Sequence, residues 1–117
     1  MNNNENSPEI SFDDFLKVDI RSGIITEAKL NPKARKPAYE LTIDFGQLGL
    51  KKSSAQITEN YIAEELIGRN IVAVVNFPPK QVAGVRSEVL VLAVVCDESG
   101  TLLLSPTKPT RPGTRVL

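Results

Sequence analysis

Histidine and tryptophan are absent from this chain, and cysteine and methionine occur once each. Lack of histidine removes the commonest general base and the commonest neutral metal ligand, and with a single cysteine no zinc site is expected. Cys96 cannot form an intrachain disulfide, and its apolar neighbours predict a buried, inert thiol. Aromatic residues make up only 5% of the sequence, which leaves few platforms for stacking nucleic-acid bases. There is no G-x-x-x-x-G-K-[ST], G-x-G-x-x-G or G-x-S-x-G, so phosphate-loop, dinucleotide and serine-hydrolase chemistries have no anchor. The pairs Asp13-Asp14 and Glu64-Glu65 fall in short helical segments and read as solvated acidic faces, not as acid/base couples. Neither an enzyme nor a cofactor is expected.

Long apolar runs are missing too. Val89 to Cys96 is the longest, well short of the roughly 20 residues that cross a bilayer, so no membrane insertion is expected. Met1 to Glu9 is polar and acidic where a signal peptide needs a basic start and an apolar stretch, and the expected location is cytoplasmic. Net charge is zero, from 14 basic and 14 acidic residues. Five of the acids (Glu5, Glu9, Asp13, Asp14, Asp19) lie in residues 1–20 beside one base (Lys17), which leaves the remainder mildly basic.

What is present is a single domain of strand-forming segments in 117 residues. Residues 1–10 are expected to be a disordered tail and residues 11–117 the domain. Ser11 and Asp14 have capping-box spacing, and Phe12, Phe15 and Leu16 recur at helical intervals, predicting a short helix. Val18 to Leu30 reads as one long strand with Gly23 as a bulge or bend. Tyr39, Leu41, Ile43 and Phe45 alternate with Glu40, Thr42 and Asp44, the period of a half-buried strand. Gly46 and Gly49 bracket a turn into a third strand, Leu50 to Ile57. One interior helix should follow, N-capped by Thr58, with Ile62 and Leu66 stacked on one face and Gly68 as its stop. Ile71–Phe77 and Val89–Val95 are near-continuous apolar strands, separated by a loop that opens Pro78-Pro79 and contains Gly84. Thr101–Leu104 is a further short strand, after which Pro106, Pro109 and Pro112 exclude regular pairing for most of the tail.

Three strands, a helix and two strands in a chain this short predict an all-β, five-stranded, closed or partly open barrel. Both faces of Val89–Val95 are apolar, so something must cover the outer one: the N-terminal helical turn, the Pro-rich tail, or a second copy of the chain. Polar and basic residues gather at the predicted strand ends and loops: Lys33, Arg35 and Lys36; Lys52, Ser54 and Gln56; and Asn76, Lys80, Arg86 and Ser87, with Phe77 and Pro78 between. Each group alone is compatible with a solvated loop, and Asn76 before a Pro pair with simple chain reversal. Its place at a strand end, where barrel loops converge, puts Asn76 in the expected ligand site.

These segments together resemble the tRNA-binding domain family, the OB-fold module found at the ends of some methionyl- and phenylalanyl-tRNA synthetases. The resemblance is carried by Asp19-Ile20-Arg21-Ser22-Gly23-Ile24, Asn31-Pro32-Lys33-Ala34, Ile43-Asp44-Phe45-Gly46, Ser53-Ser54-Ala55-Gln56-Ile57, Val75-Asn76-Phe77-Pro78-Pro79 and Gly84 to Leu90. It is nearest to the stand-alone bacterial branch of secretion-associated chaperones. Ser53-Ser54-Ala55-Gln56 stands where tRNA binders usually carry an Arg-containing, Ser-Gly-type third strand, and Val89 where they carry methionine. The resemblance implies an OB-fold homodimer whose N- and C-terminal extensions pack across the two-fold axis. It implies an export-related chaperone for unfolded or precursor polypeptides, with weak tRNA binding; the alternative is a structure-specific tRNA-binding protein. The expected peptide- or RNA-binding residues are the twelve named in the previous paragraph.

Overall fold

The computed structural model describes residues 6–117. Residues 6–10 are exposed and without regular structure, and the rest of the expected tail, residues 1–5, lies outside the described residues. Helix α1 (Phe12–Leu16) starts as its capping box predicts: the Ser11 hydroxyl accepts from the Asp14 amide at 3.2 Å, and the Asp14 carboxylate accepts from the Ser11 amide at 3.3 Å.

Strands β1 (Ile20–Leu30), β2 (Tyr39–Asp44), β3 (Leu50–Ala55), β4 (Asn70–Val74) and β7 (Leu90–Val91) form one antiparallel sheet in the order β3-β2-β1-β4-β7. The sheet curls until its ends almost meet: the Glu88 amide donates to the Lys52 carbonyl at 2.8 Å, and the Ser53 hydroxyl to the Val89 carbonyl at 3.1 Å. This is the expected nearly closed five-stranded barrel. Its core is Ile25, Leu41, Ile43, Phe45, Leu66, Ile71 and Ala73, all fully buried, with Tyr39, Ile57 and Val89 around them. The alternating residues Tyr39, Leu41 and Ile43 of β2, with Phe45 just beyond it, supply four of these ten. On the outer face Lys29 and Lys52 flank Glu40 at 3.4 Å each. Burial opposes the charged form of Glu40, yet the two ammonium groups outweigh it and hold the carboxyl below its ordinary range.

Gly23 serves a different purpose from the one expected. The register of β1 against β2 slips between Ile25 and Glu27, and that is the bulge. At Gly23 a Cβ would lie 2.7 Å from Ile43 Cγ2 and from the Phe45 ring, so the missing side chain lets the core close over β1.

Helix α2 (Ala63–Leu66) is shorter than expected. Residues 58–60 form a turn, so Thr58 does not cap it, and Ile62 precedes the helix in extended conformation. Leu66 is buried but Ile62 is exposed, so the predicted stack fails. Gly68 does end the segment at φ +88°, and its amide bonds the Ile25 carbonyl at 2.7 Å.

The stretch expected as a loop, residues 78–88, contains a hairpin of β5 (Lys80–Val82) and β6 (Val85–Ser87). Its turn residues Ala83 and Gly84 both have positive φ, +49° and +84°, as a type I′ turn requires. The run Val89–Val95 is not one strand. It breaks at Leu92, whose amide bonds Val72 of β4 and whose carbonyl accepts from Leu104. Beyond the break, β8 (Ala93–Cys96) pairs with β9 (Gly100–Leu103) as a separate hairpin. Cys96 lies exposed on that hairpin, contrary to expectation, and hydrogen bonds from the Ser99 and Glu98 main chain hold its thiol below the ordinary value.

The Pro-rich tail is ordered against β1. Because β2 pairs with β1 only from Ile24 onward, the first half of β1 has an open side, and residues 111–116 fill it. Ser22 donates to Thr114 and accepts from Gly113, both at 2.8 Å, Val116 donates to Ile20 at 2.8 Å, and the Arg21 guanidinium bonds the Gly113 carbonyl at 3.0 Å. Neither α1 nor this tail covers β8: Val94 and Val95 are 51% and 79% exposed.

Candidate functional site

Where β3 runs out, the barrel wall opens into a groove. β3 is held to the opposite wall as far as Ser54, whose amide donates to the Ser87 hydroxyl at 3.3 Å. Beyond that point Gln56 and Ile57 diverge from β6, and three adjoining hollows of about 590, 400 and 470 Å³ follow, with Ser54 and Val82 in the lining of all three. The first adds Arg35, Lys36 and Gln56. The second adds Phe77, Pro78, Lys80, Ser87 and Leu90. The third adds Ile57, Val91, Val95 and Leu103, beside the polar Gln56 and Thr101.

The loop that carries Arg35 and Lys36 is fixed at both ends. Asn31 donates its amide N–H to the Ala38 carbonyl at 2.9 Å, and its side chain donates to the Ala83 carbonyl at 3.2 Å, tying the loop to the β5–β6 hairpin. The first two hollows therefore share one scaffold. Charge in the groove is mainly positive, with three basic side chains against one acidic one. Arg35, Lys36 and Lys80 take part in no ion pair among the described residues, and the acidic lining residue Glu88 already accepts from the Lys52 amide at 3.1 Å. Phe77 and Leu90 are each half exposed, a cost that a ligand could relieve. The arrangement suits binding of something extended, apolar in the middle and anionic at the margins.

Of the twelve sequence-derived residues, the groove gathers Arg35, Lys36, Ser54, Gln56, Phe77, Pro78, Lys80 and Ser87. The other four line none of the three hollows. Lys33 stacks its aliphatic stem over Gly84, Lys52 is paired with Glu40, and Arg86 is exposed on the β5–β6 hairpin opposite Gln81. Asn76 is a clip: its carbonyl oxygen accepts from the Asp19 amide at 2.9 Å and its nitrogen donates to the Lys17 carbonyl at 2.8 Å, joining the end of β4 to the start of β1. Asn76→Ala is therefore expected to cost about 1 kcal/mol and to lower the melting temperature by roughly 4–8 °C, with groove binding unchanged. Unchanged melting with weakened ligand capture would return Asn76 to the binding site.

Val82, Leu90, Val95 and Leu103 also line the groove but were not singled out from the sequence. Leu90 and Val95 looked like interior strand residues, but Leu90 is half exposed on β7, and Val95 lies beyond the break at Leu92 on the exposed β8. Val82 was hidden because Ala-Gly is not the Asn-Gly or Asp-Gly that announces a tight hairpin.

Residues 20–115 match the family described as "Putative tRNA binding domain". Among curated relatives, the methionine–tRNA ligase of Methanococcoides burtonii is 38% identical over 105 residues, and that of Archaeoglobus fulgidus 38% over 112. The matches take in 90% and 96% of this chain but only 15% and 17% of those enzymes, so the chain spans a small part of their length. Two solved structures match it throughout. The chaperone CsaA from Bacillus anthracis has a TM-score of 0.89 at 52% identity, covering 94% of this chain and 100% of that one. The CsaA chaperone protein from Picrophilus torridus has a TM-score of 0.87 at 51% identity, covering 93% and 100%.

Proposed function

The chain belongs to the tRNA-binding domain family, and from that premise we propose that it is a CsaA-like, export-related chaperone that holds unfolded or precursor polypeptides as a cytoplasmic homodimer. The observation that carries this reading is the groove itself. Its centre is apolar, with Phe77, Pro78, Leu90, Val95 and Leu103, and few groups are poised for sequence-specific hydrogen bonds. The protein acts by binding and not by catalysis. Likeness to two CsaA chaperones over their full length supports the same reading.

The homodimer is supported by surfaces that the single chain leaves bare. Ile10, Phe12, Leu16, Val116 and Leu117 are exposed, and the Arg115 guanidinium bonds the Leu16 carbonyl at 2.8 Å, which brings the N-terminal helix and the tail together at one end of the barrel. Val94 on β8 is likewise half exposed and uncovered by α1 or the tail, and a second copy of the chain would cover it. A permanent interface of this kind buries on the order of 1,500 Å² or more. Light scattering at micromolar concentration should report a particle of twice 12.8 kDa; the monomer mass alone would overturn the dimer.

Family membership also favours a second activity, weak tRNA binding at the same basic margin. Salt separates the two, because each phosphate contact releases counterions and apolar capture does not. Polypeptide binding is expected to weaken far less with salt than tRNA binding does and to fall on Phe77→Ser. tRNA binding should weaken steeply with salt, and replacing Lys33, Arg35 and Lys36 by alanine should flatten the slope by up to about one unit per lost contact. Tight tRNA binding with no capture of denatured protein would replace the chaperone reading by the tRNA-binding one.

A further inference from the structure

β3 presents an unfinished edge to the groove. Residues of an antiparallel strand aim their main-chain groups to alternate sides. Those of Lys52 face away from β2, where the amide bonds Glu88 Oε1 and the carbonyl accepts from the Glu88 amide, and the Ser54 amide faces the same way, toward Ser87. The alternation carries the Ser54 carbonyl and the Gln56 amide to that same edge. There β6 has moved off, and among the described residues neither group has a main-chain partner; the Ser54 carbonyl meets only the Ser53 hydroxyl, at 3.5 Å. Unpaired edge groups of this kind are templates for another strand.

We propose that the groove takes its polypeptide by main-chain pairing, an extended segment adding as a parallel strand against Ser54–Gln56 with its apolar side chains in the flanking hollows. Direction follows from which groups are free. An antiparallel strand would exchange bonds with both the amide and the carbonyl of Ser54, and that amide is already held by Ser87. A parallel strand instead bonds the carbonyl of one residue and the amide two positions on, the pair that stands open. Charge defines the segment further. Arg35 and Lys36 border one hollow and Lys80 another, all without ion pairs among the described residues, so the favoured segment carries acidic residues on either side of its apolar centre. Pairing through the backbone gives affinity without a fixed sequence, which is what a chaperone for many precursors requires. The inference rests on the polypeptide-holding reading above.

The test uses three fluorescein-labelled nine-residue peptides on the full chain: Glu-Asp-Val-Ser-Val-Thr-Leu-Asp-Glu, the same peptide N-methylated at alternate residues, and one with lysine at its acidic positions. The first is expected to bind at least tenfold tighter than either of the others and to shift the Gln56 amide resonance. Gln56→Pro removes that N–H and should lower affinity by a similar factor, well beyond any loss in Gln56→Ala, which trims the lining side chain but keeps the N–H. If Gln56→Pro fails to fold, the N-methylated peptide decides the matter on the unaltered protein. Equal binding of the plain and N-methylated peptides, with suppressed aggregation of guanidine-denatured luciferase, would overturn strand addition and leave the chaperone reading standing. Failure to bind any peptide or to suppress that aggregation would overturn both. A shift of the Gln56 amide by oligouridylate but not by the acidic peptide would assign the edge to RNA and overturn the proposal.

Discussion

Gly23→Ala is expected to cost about 2 kcal/mol and to lower the melting temperature by roughly 8–16 °C, although the same change within a strand ordinarily gains about 0.5–1 kcal/mol. The sign reverses because of crowding. No unusual backbone conformation protects the glycine, but an added methyl would sit 2.7 Å from both the Phe45 ring and Ile43 Cγ2, side chains that are themselves fully buried. Cores at crystal-like density absorb such an intrusion only by moving side chains off their rotamers. A double-mutant cycle with Phe45→Leu isolates the ring's share: in the cavity left by the smaller residue, the cost of Gly23→Ala should fall, the remainder coming from the Ile43 contact. A melting temperature that is unchanged or raised by Gly23→Ala alone would show that Phe45 has room to yield.

Gly113→Ala should have the larger effect, about 3–4 kcal/mol, because two costs combine. Gly113 has φ +86°, a conformation that penalises a side chain, and its Cβ would drive into the Phe45 carbonyl, a main-chain atom that cannot rotate away. Gly46 makes the reciprocal approach, its missing Cβ leaving space for the Pro112 carbonyl, so the tail and the β2–β3 turn interlock. Loss of the lock should release residues 111–116 from β1. Amide exchange gives a local readout: protection at Ser22, which bonds Thr114, should collapse, while Ile25, which bonds Arg69, should retain more of it. Undiminished protection at Ser22 in the variant would mean that the tail does not depend on the lock.

The elements that were legible from sequence are those whose signal is local. The capping box of α1 involves residues three apart, and the period-two pattern of Tyr39 to Phe45 needs only its own strand to express it. Val89–Val95 misled because a doubly apolar run is the same for a central strand and for two short strands meeting at a bend, and the bend at Leu92 is set by Val72 and Leu104 from elsewhere in the chain. The prolines do keep the tail out of regular strand pairing, with one isolated bridge between Arg21 and Arg115, but not signalled in the sequence were the single bonds by which Gly113, Thr114 and Val116 hold it to β1. The basic residues were recognised as a group, yet their roles depend on which partner comes within reach. Lys52 meets Glu40 across a strand pair, whereas Lys36 meets no acid. Asn76 was read from its own turn, and the two groups it holds lie 57 and 59 positions away.

Such distances set the order in which the molecule can assemble. The turns at Gly46–Gly49 and Ala83–Gly84 close short loops and can form early, giving β2–β3 and β5–β6 before the rest. The seam between β1 and the tail joins residues 89 to 99 positions apart, as in Ser22 with Arg111, Arg21 with Gly113 and Leu16 with Arg115. Contacts of that separation bear the largest loop-closure entropy and place this chain among slow, high-contact-order folders. Until the seam closes, the first half of β1 is a bare edge in the nascent barrel, and collisions between incompletely folded copies at that edge are the main route by which this fold would aggregate.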